Sequence, residues 1–170
     1  MTHQAGFSLL ELMCVLAVIS LLAYIGATPI LALGQHNQDK STLNMARQQL
    51  ADALTQARQL AVVSGQASYV CGGTGCDGDW SSGISAHQTM ASGDIVNPFL
   101  QHRFASSINM VWSGFPVQKT FIVFEHHGLS GYQNGTFEFC LGDLQADLVL
   151  NQNGRFYTTP LKQKEQEACQ

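Results

Sequence analysis

Hydrophobic and polar positions follow two patterns in the first third of the chain. From Leu12 to Leu33, 22 consecutive residues include no Asp, Glu, Lys, Arg or His, and about 20 apolar residues suffice for a helix to cross a bilayer. Further along, apolar positions recur every three or four residues, which is typical of an amphipathic helix. These positions are Leu43, Ala46, Leu50, Leu54, Ala57 and Ala61. The pattern predicts one long helix, continuous or interrupted by a bend at Pro29, that ends at Gly65, with its first half in a membrane and its second half against a globular domain.

The chain after Gly65 consists of short β-rich runs separated by Gly, Asn, Asp and Ser. We predict tight turns at Asn134–Gly135 and Asn153–Gly154, because Asn-Gly pairs favour hairpin turns. Residues 91–106 show no clear pattern and are treated as a loop. The candidate strands are Ala67–Cys71, Gly83–His87, Ile108–Trp112, Thr120–Glu125, Thr136–Leu141, Ala146–Asn151 and Arg155–Thr158. Together these elements predict an α+β fold, in which the long N-terminal helix packs on an antiparallel β-sheet.

Composition and charge narrow the classes of function. The chain has 170 residues, of which 45% are hydrophobic and 12% are charged, and its formal net charge is -4. General binders of nucleic acids or anionic membranes rely on clustered Lys and Arg, so the acidic balance argues against both classes. The uncharged run at 12–33 argues against a simple cytosolic enzyme, and the remaining residues suffice for one domain.

The cysteines indicate an oxidising compartment. Cys14 lies in the apolar run, whereas Cys71, Cys76, Cys140 and Cys169 lie in the part expected to fold. A zinc ribbon would need a second closely spaced pair, so disulfides fit better than a reduced metal site. Of the three pairings that four cysteines allow, we favour Cys71 with Cys76, which closes a glycine-rich loop, and Cys140 with Cys169, which tethers the C-terminal tail. Disulfides place this domain in the periplasm or outside the cell.

The sequence has no catalytic or metal-binding signature with supporting context. Glu125, His126 and His127 are adjacent, but neighbouring residues of a strand point to opposite faces, so at most one of the histidines shares a face with Glu125. We expect this segment to be a solvated loop or strand end. The glycines around the first cysteine pair are interpreted as turn residues: Gly72, Gly73, Gly75 and Gly78. We therefore expect no enzyme activity, no metal and no cofactor.

A specific motif precedes the apolar run. Gly6 is followed by Phe7 and, four residues later, by Glu11, after which the uncharged segment begins. This order resembles the class III signal of type IV pilins and type II secretion pseudopilins. The resemblance implies that a prepilin peptidase, which is also an N-methyltransferase, cuts between Gly6 and Phe7 and methylates Phe7.

The resemblance also implies a domain plan and a role for Glu11. Residues 1–6 are the leader peptide removed by prepilin peptidase, and residues 7–33 form the transmembrane and filament-core helix. Residues 34–65 continue this helix as an amphipathic segment, and residues 66–170 form a periplasmic β-rich domain. Glu11 becomes the fifth mature residue and pairs in the filament with the terminal amine of a neighbouring subunit. Such pairing fixes the register of subunits, because a buried unpaired carboxylate is costly.

The folded part carries a further ordered series of residues: Ala57–Arg58, Ser64–Gly65–Gln66, Cys71, Trp80, Gly83 and Asn153–Gly154–Arg155. This series resembles the GspH/FimT branch of the pilin superfamily. The resemblance implies a minor subunit that assembles or primes a type IV pilus, or the pseudopilus of type II protein secretion. Members that act in pili often carry the disulfide pair, which favours a pilus role.

The resemblance implies partners and a location. The partners are other pilins or pseudopilins, the prepilin peptidase, an inner-membrane assembly platform and, before assembly, membrane lipid. The location is the bacterial inner membrane, crossed once, with the C-terminal domain in the periplasm until the subunit enters a pilus or pseudopilus. An alternative is a minor pilin that binds DNA for natural transformation, through a Gly-Arg-x-Arg motif. Here the corresponding residues are Gly154, Arg155, Phe156 and Tyr157, so Arg155 alone is a candidate contact with DNA.

Overall fold

The chain divides into two compact units, Met1–Gln38 and Asp39–Gln170. The structure, a computed structural model, describes residues 8–88, 97–117 and 119–169, without the side chains of residues 25–33. Within these ranges the chain has one α-helix and nine β-strands. The helix packs on antiparallel sheets, so the predicted α+β class is confirmed.

Helix α1 spans Leu9–Ser64, and in the second unit one of its faces is buried. Gly65 ends the helix with a φ of 70°, a left-handed conformation that glycine adopts without strain. Its N–H donates to the carbonyl of Ala61 at 3.0 Å. The predicted stripe is confirmed, because each of its residues is at most 2% exposed: Leu43, Ala46, Leu50, Leu54, Ala57 and Ala61.

The strands form two antiparallel sheets rather than one. The first sheet has four strands in the order β3-β2-β1-β5, and the second has five, in the order β4-β6-β7-β8 with β9 also paired to β7. The strands are β1 Ser68–Gly72, β2 Gly83–Gln88, β3 Leu100–Arg103, β4 Asn109–Phe115, β5 Phe121–Phe124, β6 Asn134–Leu141, β7 Leu144–Leu150, β8 Phe156–Thr158 and β9 Lys162–Gln163.

Two strands lie outside the seven that the sequence predicts. Strand β3 falls in the segment treated as a loop, of which residues 91–96 lie outside the described residues. It is a short edge strand with two exposed polar side chains, and its residues lack the β-branched character of typical strands. Strand β9 has only 2 residues, too few for any periodicity to be visible.

The predicted turn at Asn134–Gly135 is wrong, since both residues belong to strand β6. Gly135 pairs with Gly114 on one side and with Leu150 on the other. A side chain at Gly135 would meet the carbonyl of Ser113 at 2.5 Å, so glycine is needed there for the close approach of two strands. The predicted turn at Asn153–Gly154 is confirmed: the Gly154 N–H donates to the carbonyl of Asn151 at 2.9 Å, between strands β7 and β8.

The core of the second unit lies between helix α1 and the sheets. Phe137 on strand β6 is fully buried, and its ring centroid lies 4.8 Å from the rings of both Trp80 and Trp112. It faces Trp112 on strand β4 and Leu148 on strand β7 in the ladder. Aromatic side chains of this size dominate core energetics, so this cluster anchors the second sheet in the core.

Candidate functional site

The N-terminus of helix α1 is closed by a local cap. The Glu11 N–H lies 3.4 Å from the hydroxyl of Ser8 and 3.0 Å from its carbonyl oxygen. Ser at the N-cap with Glu three residues later is a capping-box pattern, a signal in the sequence that marks the start of the helix. A carboxylate in the first turn is favoured by the helix dipole, and Glu11 is exposed. The predicted cleavage site, Gly6 and Phe7, lies outside the described residues.

The first turns of helix α1 expose apolar side chains on every face. Eleven large hydrophobic residues between Leu9 and Tyr24 are each 48% to 85% exposed. A helix that is apolar all round requires an apolar environment or partner. These residues are Leu9, Leu10, Leu12, Met13, Val15, Leu16, Val18, Ile19, Leu21, Leu22 and Tyr24.

A search of the described residues finds no helix that combines the length and the apolar character needed to span a membrane. The predicted span at 12–33 includes residues 25–33, whose side chains lie outside the described set.

Both favoured disulfides are present in the structure. Cys71 is bonded to Cys76, with their Cα atoms 4.8 Å apart, and Cys140 to Cys169, with their Cα atoms 6.3 Å apart. The first bond closes a loop beside strand β1. The second bond holds the C-terminal tail on strand β6. Val111 packs against these two cysteines. Two bonds of this kind stabilise a small domain by restricting its unfolded chain.

Arg58 joins helix α1 to the loop at Gly128, beside Gly154. Its Nε donates to the carbonyl of Gly128 at 3.0 Å. Gly154 has a φ of 72°, and a side chain there would collide with that same carbonyl. These two residues of the GspH/FimT-like series therefore serve packing in this structure.

Trp80 and Gly83, from the same series, also have structural contacts. The Trp80 indole N–H donates to the carbonyl of Lys119 at 2.7 Å, and its ring lies against Gly72. A side chain at Gly83 would collide with the backbone of strand β3. Trp80 and Gly83 are therefore explained by the close packing of strands β1, β2 and β3.

Glu125 and His127 lie in an exposed turn after strand β5, in agreement with the solvated loop or strand end expected from the sequence. The His127 Nε2 atom is 2.9 Å from a carboxylate oxygen of Glu125. The His126 ring lies beside the His127 ring, with 4.8 Å between centroids and 40° between the ring planes. Among the described residues, no group of three or more His, Cys, Asp or Glu side chains is arranged to hold a metal ion.

Arg155 and Lys162 differ in their surroundings. Arg155 is exposed in the turn between strands β7 and β8, where its N–H donates to the side-chain oxygen of Asn153 at 3.0 Å. The Lys162 ammonium lies 2.6 Å from Glu165 and 3.4 Å from Asp147. The hydrogen bond to Glu165, with a further contribution from Asp147, raises the pKa of Lys162. The Lys162 ammonium is thus paired with two carboxylates of this chain.

An N-terminal helix packed in its second part on antiparallel sheets defines the pilin class of proteins. The family model described as type II transport protein GspH matches residues 46–154, and the model of the prokaryotic N-terminal methylation motif matches residues 1–23. The first match covers more than half of the chain, and the chain belongs to the GspH family. Its members are structural pilin-like subunits and not enzymes.

Solved structures give the same fold. Two crystal structures of the type IV minor pilin FimU from Pseudomonas aeruginosa PAO1, in space groups P65 and P21, each share 22% sequence identity with this chain. Their TM-scores are 0.56 and 0.55, and they cover 75% and 81% of this chain and 99% of their own. A search of curated proteins found no match.

Proposed function

We propose that this chain is a minor structural subunit of a type IV filament. The observation that carries the proposal is the N-terminal methylation motif at residues 1–23, followed by a capped helix whose first turns are apolar on every face. Such a helix requires an apolar environment. The membrane supplies it before assembly, and the helices of neighbouring subunits supply it in the filament.

Processing prepares the chain for assembly. The prepilin peptidase removes residues 1–6 and methylates the new terminal amine of Phe7. Glu11 then lies in the first turn of helix α1, about one turn from this amine, where its exposed carboxylate supports pairing with the amine of another subunit. The partners in assembly are other pilins or pseudopilins and the inner-membrane assembly platform.

The location proposed for the unassembled subunit is the bacterial inner membrane. The uncharged run at 12–33 anchors the chain, and the folded unit lies in the periplasm. The two disulfides support this placement, because such bonds form and persist in oxidising compartments.

Between the two filament systems, the disulfides favour a type IV pilus over a secretion pseudopilus. The test is an in-frame deletion of the gene, complemented with the full chain. Loss of sheared surface pili, with normal secretion of exoproteins, is the expected result. Normal piliation with a loss of secretion would assign the chain to the pseudopilus, and normal results in both assays would refute the proposal.

DNA binding is the alternative, and one observation favours it: Arg155 is exposed in the turn after Gly154. The acidic net charge of -4 and the pairing of Lys162 with Glu165 argue against it. The full chain, tested with double-stranded DNA at low salt, is expected to show no binding. Binding that weakens steeply with salt and is lost in Arg155→Ala would establish the alternative.

A further inference from the structure

An open cleft lies between two loops at one end of the second sheet. One loop joins strands β5 and β6, and the other is the turn between strands β7 and β8. The cleft has a volume of about 330 Å³, and its lining includes Glu125, His127, Tyr132, Gln152 and Asn153. This volume falls at the lower end of the range of small-molecule sites, roughly 300 to 1,000 Å³. The filament function proposed above uses none of these residues.

Buried polar groups fix the two loops to each other. Ser130 is fully buried, and its hydroxyl lies 2.9, 3.0 and 3.1 Å from the carbonyl oxygens of Gln133, Asn151 and Gln152. Gln133 is 2% exposed, and its side-chain oxygen accepts the N–H of Val123 at 3.0 Å. Buried side chains with satisfied hydrogen bonds hold a surface in one geometry, so the walls of the cleft are preorganised.

Tyr132 is held outward at the rim of the cleft. It is 79% exposed, and its φ is 64°, a left-handed conformation that is strained for a bulky side chain. The buried contacts of Ser130 and Gln133 on either side maintain it. Among the described residues, the Tyr132 hydroxyl has no hydrogen-bond partner. The loop therefore presents an aromatic face and a hydroxyl to solvent in a defined position.

Glu125 and His127, which belong to the same loop as Tyr132, are oriented as well. The Leu129 N–H points to the Nδ1 atom of His127 at 3.4 Å, which assigns the proton to Nε2. That nitrogen donates to Glu125 Oε2 at 2.9 Å. The second carboxylate oxygen of Glu125 stays available as an acceptor.

The two amides keep complementary hydrogen-bonding capacity. Gln152 donates from Nε2 to the side-chain oxygen of Asn134 at 3.3 Å, which leaves its own oxygen as an acceptor. Asn153 accepts the N–H of Arg155 with its side-chain oxygen, which leaves its NH₂ group as a donor. The cleft thus offers an aromatic face, a hydroxyl, two acceptors and a donor.

We infer that this cleft binds a neutral saccharide. The Glu125 carboxylate disfavours an anionic ligand, and an apolar ligand would not use the donors and acceptors of the lining. A sugar ring has an apolar face that stacks on an aromatic side chain, and hydroxyls that each donate and accept. The open shape suits a single sugar or the end of a longer chain.

The experiment uses the full chain in a zwitterionic detergent without a sugar head group. Saturation-transfer difference NMR is recorded separately with glucose, galactose, mannose and N-acetylglucosamine. We expect transfer to at least one of them, and a loss of affinity of about tenfold or more in Tyr132→Ala. Tyr157→Ala is the matched control, because Tyr157 is 56% exposed on strand β8 and does not line the cleft. Thermal unfolding verifies that both variants are folded.

Three results would overturn the inference. The first is the absence of transfer to all four sugars in the wild-type chain. The second is equal binding in Tyr132→Ala and wild type, and the third is an equal loss in Tyr157→Ala. If the wild type binds no sugar and Tyr132→Ala alone is absent from sheared pili, the surface is instead a contact between subunits. Deletion of the gene tests the filament function separately, so the two failures are distinguishable.

Discussion

Replacement of Cys140 and Cys169 by serine is expected to destabilise the folded unit more than replacement of Cys71 and Cys76. The cross-links span 29 and 5 residues of sequence. The chain-entropy relation gives about 3.6 kcal/mol for the longer loop and about 2.1 kcal/mol for the shorter one. The difference of about 1.5 kcal/mol corresponds to roughly a tenfold change in the unfolding equilibrium.

The contacts around the longer cross-link make its removal a test of chain entropy. The backbone N–H of Cys169 donates to Glu138 Oε2 at 3.0 Å, and its carbonyl accepts from Asn109 Nδ2 at 2.8 Å. Both bonds use atoms that serine retains. The folded tail therefore keeps its polar anchors, and the main loss comes from the greater freedom of the unfolded chain.

The assay for this prediction is guanidinium unfolding of the full chain in detergent, followed by tryptophan fluorescence. Trp80 and Trp112 are 4% and 7% exposed, so their emission reports the loss of the core. The two double-serine variants are compared with wild type under identical conditions. A cost for the shorter loop equal to or larger than that for the longer loop would refute the reasoning.

Three further predictions test the anchor, the core and the electrostatics. Glu11→Ala is expected to leave the monomer inserted in the membrane but to reduce its content in purified filaments, and unchanged content would remove the assigned role. Leu54→Ala, at a fully buried site, should cost about 2 to 5 kcal/mol in denaturant unfolding, whereas Val63→Ala, at a site 85% exposed, should change stability by less than about 0.5 kcal/mol. The pKa of Lys162 is raised by Glu165, so its stabilising contribution is complete at neutral pH and is lost as pH rises through that raised pKa. The melting-temperature difference between wild type and Lys162→Met should therefore vanish only at strongly alkaline pH, and a difference that disappears near neutrality would contradict the assignment.

The sequence predicted the elements whose burial is periodic. The stripe from Leu43 to Ala61 recurs at helical spacing because one face of helix α1 packs on the core, and that requirement is visible in the chain itself. Seven strands were located by a different signal, short β-rich runs separated by Gly, Asn, Asp and Ser. Edge strand β3 was missed because its short run carries little apolar pattern.

Local turn chemistry was informative only where tertiary contacts agreed with it. Asn153–Gly154 forms the expected turn, whereas Gly135 lies in strand β6 because two neighbouring strands approach its backbone closely. The hairpin between strands β6 and β7 instead turns at Gly142–Asp143, where Gly142 has a φ of 57°. An Asn-Gly pair therefore forms a turn or lies within a strand, depending on which residues pack against it.

The candidate sites divide in the same way. The N-terminal motif is contiguous in sequence, so Gly6, Phe7 and Glu11 can be proposed from the chain alone. The cleft combines the turn at Glu125 with the turn at Gln152, and both the hydroxyl and the backbone N–H of Ser130 hold the two turns together. Such a meeting depends on the register of strands β6 and β7 and leaves no local signal.

The most direct test of the central claim is the intact mass of the chain recovered from sheared, purified filaments. We predict a polypeptide that begins at N-methylated Phe7 and lacks residues 1–6, with a mass that rises by four hydrogens on reduction of its two disulfides. A chain that begins at Met1 in those filaments, or that is absent from them while abundant in the membrane, would contradict it.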